Sequence, residues 1–170
     1  MDRTAEITAV LFLSHIRRNK GLWLSHKFFF FVVKSYQEVR QMAWIKHNVN
    51  PQNNRTGDCV IRALSTALGQ SWYKTSVELF VQSVMMCSMM NANHVWGAYL
   101  KRKGFKRYII DTDCPDCYTV KDFCEDNPKG TFIMAISGHV VAVIDGNYYD
   151  TWDSGGEIPV FYWCQRKDEK

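Results

Sequence analysis

The sequence contains no apolar run long enough to cross a membrane as a helix. The run Phe28–Val33 has only six residues, whereas a membrane-spanning helix needs about 20. A secretory signal peptide is not predicted either, because the first apolar stretch, residues 9–13, follows Asp2 and Glu6 instead of a basic segment. We therefore expect a cytoplasmic protein that binds no membrane.

Residues 42–170 also lack an excess of either charge. They contain fourteen Lys/Arg and fourteen Asp/Glu, so the net charge of +4 comes from residues 1–41, with seven basic and three acidic residues. A nucleic-acid-binding domain usually carries a clear positive patch. We therefore expect no nucleic-acid partner, and the 46% hydrophobic content is sufficient for the core of one domain.

The six cysteines do not form a recognisable disulfide or zinc pattern. Without a signal peptide, free thiols in a reducing compartment are expected. The sequence has one Cys-x-x-Cys pair, Cys114 and Cys117, whereas a structural zinc site usually needs two such pairs or a Cys/His set. We interpret the pair as ordinary thiols in a turn, with metal binding as the alternative, and expect no metal or other cofactor.

Residues 1–41 differ from the rest of the chain because their apolar residues follow neither a helical nor a strand period. Gln37–Arg40, just before Met42, can be encoded by DNA that contains AGGAGGTGA, a bacterial ribosome-binding sequence. We hypothesise that Met42 is the biological start and that residues 1–41 are a non-native or poorly ordered extension. A genuine N-terminal helix that packs on the domain is the alternative.

From residue 42 onward, the pattern predicts a single α+β domain in which N-terminal helices pack on a small antiparallel sheet. Helices are indicated by apolar residues at helical spacing and by capping signals such as Thr119 with Asp122. Strands are indicated by β-branched and aromatic runs between turns. The predicted helices are 58–68, 72–89, 94–103 and 120–125, and the predicted strands are 43–49, 105–110, 131–136, 140–144, 148–151 and 160–163.

Cys59 is the residue best placed to act as a nucleophile. It follows Gly57 and Asp58 at the point where an apolar helix begins. The free N–H groups and positive dipole end of a helix N-terminus favour a thiolate, and the N–H of Cys59 itself would face a developing oxyanion. The alternative is that Cys59 is a small buried apolar residue.

A histidine and an aspartate follow in the order that a cysteine nucleophile requires. His139 stands at the head of the strand run 140–144, where it can serve as the general base. Asp150 lies one predicted hairpin away and can orient the imidazole, while Asp153 is a competing candidate for that role. The alternatives are a histidine satisfied within the sheet and an aspartate in a turn.

The segments 57–59, 138–143 and 149–153 together resemble the papain-like cysteine peptidase superfamily, over roughly residues 50–155. More narrowly, the chain resembles small cysteine-peptidase-like proteins of gut Firmicutes and their phages. The resemblance implies a Cys59, His139 and Asp150 triad, and a Gln shortly before the cysteine that completes the oxyanion hole. Asn53 has the family's spacing but is not Gln, and Gln52 precedes it.

The sequence therefore predicts a thiol hydrolase, a peptidase or amidase that transfers an acyl group through a Cys-His-Asp triad. Its partner would be a peptide or amide substrate, and its chemistry needs no cofactor. The alternative is a non-catalytic papain-like module that binds a protein, such as a phage protein that binds a host component. The short length from Met42 onward favours this alternative, because it leaves little room for a deep cleft between two lobes.

Overall fold

Four α-helices and six β-strands form the part of the chain that the computed structural model describes, residues 42–54, 56–110 and 118–165. All of these elements belong to one compact unit, residues 41–170. The helices are α1 (Cys59–Leu68), α2 (Trp72–Met85), α3 (Asn93–Arg102) and α4 (Val120–Asp126). The strands are β1 (Trp44–Lys46), β2 (Lys106–Ile109), β3 (Thr131–Ile136), β4 (His139–Ile144), β5 (Asn147–Asp150) and β6 (Pro159–Cys164).

Two short-range signals in the sequence set the ends of helices as predicted. Gly69 ends α1 with a φ of 61°, a left-handed conformation that glycine adopts without strain. The capping box that precedes α4 is confirmed: the N–H of Thr119 donates to Asp122 Oδ2 over 2.8 Å, and the N–H of Asp122 donates to Thr119 Oγ1 over 3.3 Å. Each signal satisfies backbone groups that the helix itself leaves unpaired.

The six strands form one mixed sheet in the order β1-β5-β4-β3-β6-β2. The pairs β4–β5, β3–β4, β3–β6 and β2–β6 are antiparallel, whereas β1 pairs with β5 in parallel. The prediction of an α+β fold is therefore confirmed, but the prediction of a purely antiparallel sheet is wrong. The parallel pair joins Trp44 to Tyr148, which are so far apart in sequence that no local turn signal could reveal their pairing.

Both faces of the sheet are covered, because alternate side chains of β3 are buried in two different apolar clusters. Ile133 and Ala135 point into a cluster with residues of α1 and α3. Phe132, Met134 and Ile136 point into a second cluster that includes residues of α4. Alternate side chains of a strand point to opposite faces, so a strand buried on both sides reads as a continuous apolar run. This arrangement packs α1 directly against the middle of the sheet.

One face of α2 is apolar and exposed. Val77, Phe80 and Val84 are 63%, 57% and 59% exposed, and they recur at the spacing of one helix face. Leu79, on another side of the helix, is fully buried. The apolar residues of this helix therefore serve two surfaces, and only one of them belongs to the core.

Two of the sequence-based predictions lie outside the described residues: the hypothesis about residues 1–41 and the interpretation of Cys114 and Cys117. Within the described ranges, no helix is both long and apolar enough to span a bilayer.

Candidate active site

Cys59 is the first residue of α1, and a buried carboxylate anchors the turn that precedes it. Asp58 Oδ2 accepts hydrogen bonds from Asn50 Nδ2 and Trp72 Nε1, both over 2.9 Å. Asp58 Oδ1 pairs with the guanidinium of Arg62, one helical turn further on. Asp58 is only 5% exposed, so this network fixes the start of α1. The thiol of Cys59 is consequently held at a defined, half-buried position.

His139 enters the site from the sheet. It begins β4 directly after Gly138, whose φ of 67° closes the turn between β3 and β4. The His139 imidazole lies near enough to the thiol of Cys59 to shift the pKa of both groups. The side chain of His139 is 14% exposed. The contact therefore joins the N-terminus of α1 to the start of β4.

Asp150, at the end of β5, completes the chain of contacts. Its Oδ2 lies 2.6 Å from His139 Nε2, and its Oδ1 accepts a hydrogen bond from the N–H of Thr151 over 2.7 Å. With Nε2 engaged by the carboxylate, Nδ1 is the ring nitrogen left for the thiol. The structure thus brings Cys59, His139 and Asp150 together in one connected line.

Asp153, the competing candidate, lies elsewhere. Its Oδ1 accepts a hydrogen bond from the hydroxyl of Tyr148 over 2.6 Å and another from the N–H of Gly155 over 3.1 Å. Its Oδ2 is 4.0 Å from Lys121 Nζ. These contacts hold Asp153 in the loop after β5, away from the imidazole that Asp150 engages.

The surroundings of the pair favour its charged form. Burial raises the pKa of the Cys59 thiol, but the hydrogen bond and the charge of His139, together with the N–H groups of Val140 and Val60, outweigh burial and leave the pKa below its ordinary value. Burial lowers the pKa of His139, but the contacts with Asp150 and Cys59 raise it by more than burial lowers it, and the resulting pKa is about 9. The site therefore favours a thiolate beside an imidazolium more than an isolated thiol and imidazole would.

A cavity of about 440 Å³ opens beside Cys59 and His139. Its wall on the α3 side contains Asn91 and Asn93, two residues that sequence reasoning missed. No local signal pointed to them, because the packing of α3 against the sheet decides where the α2–α3 connection lies. The remaining lining residues are all apolar or glycine: Gly57, Val60, Ala135, Ile136, Gly138, Val140, Val160 and Phe161.

The predicted oxyanion residues do not line this cavity. Gln52 and Asn53 are both exposed in the loop before α1, and Gln52 lines a different cavity together with Trp72 and Tyr73. The structure therefore does not place either amide beside the cleft that holds Cys59. The physical reason is that Asn53 adopts a φ of 52° and its N–H donates back to Asn50, which turns the loop locally.

Trp152 packs against the imidazole of the site. Its ring centroid is 5.5 Å from that of His139, with an angle of 42° between the planes. Trp152 remains 43% exposed, so its ring covers part of the imidazole while its other side faces solvent. An apolar cover of this kind strengthens a charge-assisted hydrogen bond by lowering the local dielectric constant.

In the described part of the chain, no group of three or more His, Cys, Asp and Glu residues is arranged to hold a metal ion. Among the described residues, Cys59, Cys87 and Cys124 form no disulfide bond. No family model, no curated protein and no solved structure matches the chain.

Proposed function

We propose that the protein is a thiol hydrolase of the papain-like type, a cytoplasmic peptidase or amidase. The observation that carries the proposal is the connected line from the Cys59 thiol through the His139 imidazole to the Asp150 carboxylate. A nucleophile, a base and a group that orients the base are the three parts that acyl transfer needs.

The reaction would begin with the thiolate of Cys59. It attacks the carbonyl carbon of an amide, forms a C–S bond and leaves a negative charge on the carbonyl oxygen. The N–H of Cys59, at the start of α1, is available to that oxygen. The imidazolium of His139 then gives its proton to the departing nitrogen as the C–N bond breaks, and a thioester remains on Cys59.

A water molecule would release the second product. His139, now neutral, takes a proton from the water, which attacks the thioester carbon and breaks the C–S bond. Asp150 holds the ring and stabilises its positive charge in each half of the cycle. The thiolate–imidazolium pair is restored without any cofactor.

The proposal predicts that Cys59 is the most reactive of the six cysteines. Its pKa is lowered, whereas burial raises the pKa of Cys124 to about 12. Brief treatment with iodoacetamide near neutral pH, followed by peptide mapping, should show Cys59 labelled first. The same mapping on His139→Ala should show that this preference is lost. Faster labelling of Cys114 or Cys117 than of Cys59 would argue against the site.

A protein-binding module without catalysis is the second candidate. The exposed apolar face of α2, including Val77, Phe80 and Val84, favours it, because large exposed apolar patches mark interaction surfaces in soluble proteins. The two candidates differ in what they require of Cys59. A module needs no thiolate, so slow labelling of Cys59 with an ordinary pH dependence would favour the module over the hydrolase.

A further inference from the structure

Asn93 is an exposed residue at the wall of the active-site cavity, and one hydrogen bond sets which end of its side-chain amide faces Trp96. Its Oδ1 accepts a hydrogen bond from Trp96 Nε1 over 3.2 Å, and Trp96 is fully buried. An indole N–H is a donor only, so the carbonyl end of the amide must face it. The Nδ2 group of Asn93 must therefore point away from Trp96.

This Nδ2 group has two N–H donors and forms no hydrogen bond with any residue in the ranges that the structure describes. Asn93 lines the same cavity as Cys59 and His139. Apart from that pair, none of the described residues that line the cavity carries a charge. A ligand that fits this chemistry is uncharged and offers a carbonyl oxygen as acceptor.

We propose that Asn93 is a substrate-binding residue that donates an N–H to a carbonyl oxygen of an uncharged, peptide-like or amide substrate in the cavity beside Cys59. The inference rests on the proposed hydrolase function and adds a residue that binds its substrate. The family resemblance implies an oxyanion-binding amide at Gln52 or Asn53, in the loop before α1, whereas the donor proposed here lies at the start of α3.

The test compares two reagents that both report on Cys59. 2,2′-Dipyridyl disulfide contains no carbonyl, so its rate depends on the thiolate alone. The p-nitrophenyl ester of N-acetylglycine contains two carbonyl groups. With the ester, the Cys59 thiolate forms a C–S bond with the ester carbon, the C–O bond breaks, and p-nitrophenolate leaves with the electron pair and is measured by its absorbance.

Asn93→Asp is the informative variant. The carboxylate keeps an acceptor for Trp96 Nε1 but removes both donors from the cavity. We expect its kcat/KM for the ester to fall about tenfold or more, the cost of losing a hydrogen bond and leaving an acceptor unpaired. Its plateau rate with the disulfide should change by less than about twofold, because the contacts of Cys59 with His139 are intact. Asn93→Ala should show the same selective loss.

Asn91→Asp is the matched control, since it places the same charge on the same wall. We expect it to change the ester rate by less than about threefold, because no contact with a described residue orients the amide of Asn91 toward the cavity. An unchanged ester rate in both Asn93 variants, or an equal loss in Asn91→Asp, would overturn the inference. If wild-type Cys59 fails to react rapidly with the disulfide below neutral pH, or does not react with the ester, the hydrolase proposal itself fails.

Discussion

Nε2 of His139 lies 2.6 Å from Oδ2 of Asp150, across the hairpin formed by β4 and β5. The strands pair Val143 with Tyr148 and Ala142 with Tyr149. If this register is continued toward the open end of the hairpin, Trp152 lies opposite His139. Asp150 lies two residues before Trp152 on the same strand and is therefore a diagonal neighbour of His139. Diagonal neighbours in antiparallel strands are within reach of long side chains. The tight turn at residues 145–146 thus fixes which aspartate meets the imidazole.

The His139→Ala variant should lose the low-pH reactivity of Cys59. Without the imidazole, only the N–H groups of Val140 and Val60 oppose burial, which raises the thiol pKa. We expect the pH at half-maximal rate with 2,2′-dipyridyl disulfide to rise to the ordinary thiol pKa of 9.0 or above. A stopped-flow pH series on both proteins measures it. An identical pH profile in the two proteins would show that His139 does not activate Cys59.

The Asp150→Asn variant should act through His139. Asp150 and Cys59 together raise the pKa of His139 from the ordinary 6.5 to about 9 against the effect of burial, so removing the charge of Asp150 lowers that pKa. The stability that this raised pKa provides is complete below pH 6.5 and is lost as the pH rises through about 9. NMR titration of the imidazole should show the shift, and turnover should fall by less than in His139→Ala.

Asp153→Asn is the matched control for Asp150→Asn, since it makes the same change three residues later. Asp153 contacts Tyr148 and Gly155, and its carboxylate is not hydrogen-bonded to the imidazole among the contacts described. We expect the His139 titration and the rate of Cys59 alkylation to stay close to those of the wild type. If Asp153→Asn lowered the His139 pKa as much as Asp150→Asn, the assignment of the orienting residue would be wrong.

The parts of the site that the sequence could indicate are those set by local structure. The position of Cys59 follows from the Gly57-Asp58 turn and the apolar period of α1, and that of Asp150 from counting across one hairpin. The contribution of Asn93 could not be foreseen, because it depends on how α3 packs against the sheet. The oxyanion prediction at Gln52 and Asn53 came from the spacing of a family, and in the structure both residues are exposed and do not line the cavity beside Cys59.

The fold likewise has parts that local sequence signals predict and parts that depend on contacts between distant residues. Helix ends with capping signals and strands joined by tight turns were predictable, since these signals act within a few residues. The pairing of β1 with β5 and the exposure of Val77 and Val84 on α2 were not. Apolar residues at helical spacing define a face, but only tertiary structure decides whether that face is covered.

A chain that starts at Met42 should fold without residues 1–41. The described elements all lie within the compact unit 41–170, and the segment before Met42 has no periodic apolar face. We expect a single cooperative thermal transition and soluble protein for the shorter chain, measured by circular dichroism beside the full-length chain. Aggregation or loss of the transition in the shorter chain would show that residues 1–41 are part of the fold.

The Asp58→Ala variant should destabilise the protein and loosen the start of α1. It removes the carboxylate that pairs with Arg62 and accepts from Asn50 and Trp72. The Arg62 side chain is 14% exposed, so its charge would remain largely buried and unpaired, at a cost of about 3 kcal/mol in the free energy of unfolding.

Urea denaturation measures the loss of stability. The control for removing one negative charge is Glu125→Ala, because Glu125 is an exposed acidic residue on α4. We expect the control to change the free energy of unfolding by less than about 0.5 kcal/mol. Under conditions where Asp58→Ala stays folded, Cys59 should also react more slowly with 2,2′-dipyridyl disulfide, because the thiol is no longer held toward His139. Wild-type stability in Asp58→Ala would mean that this network does not anchor α1.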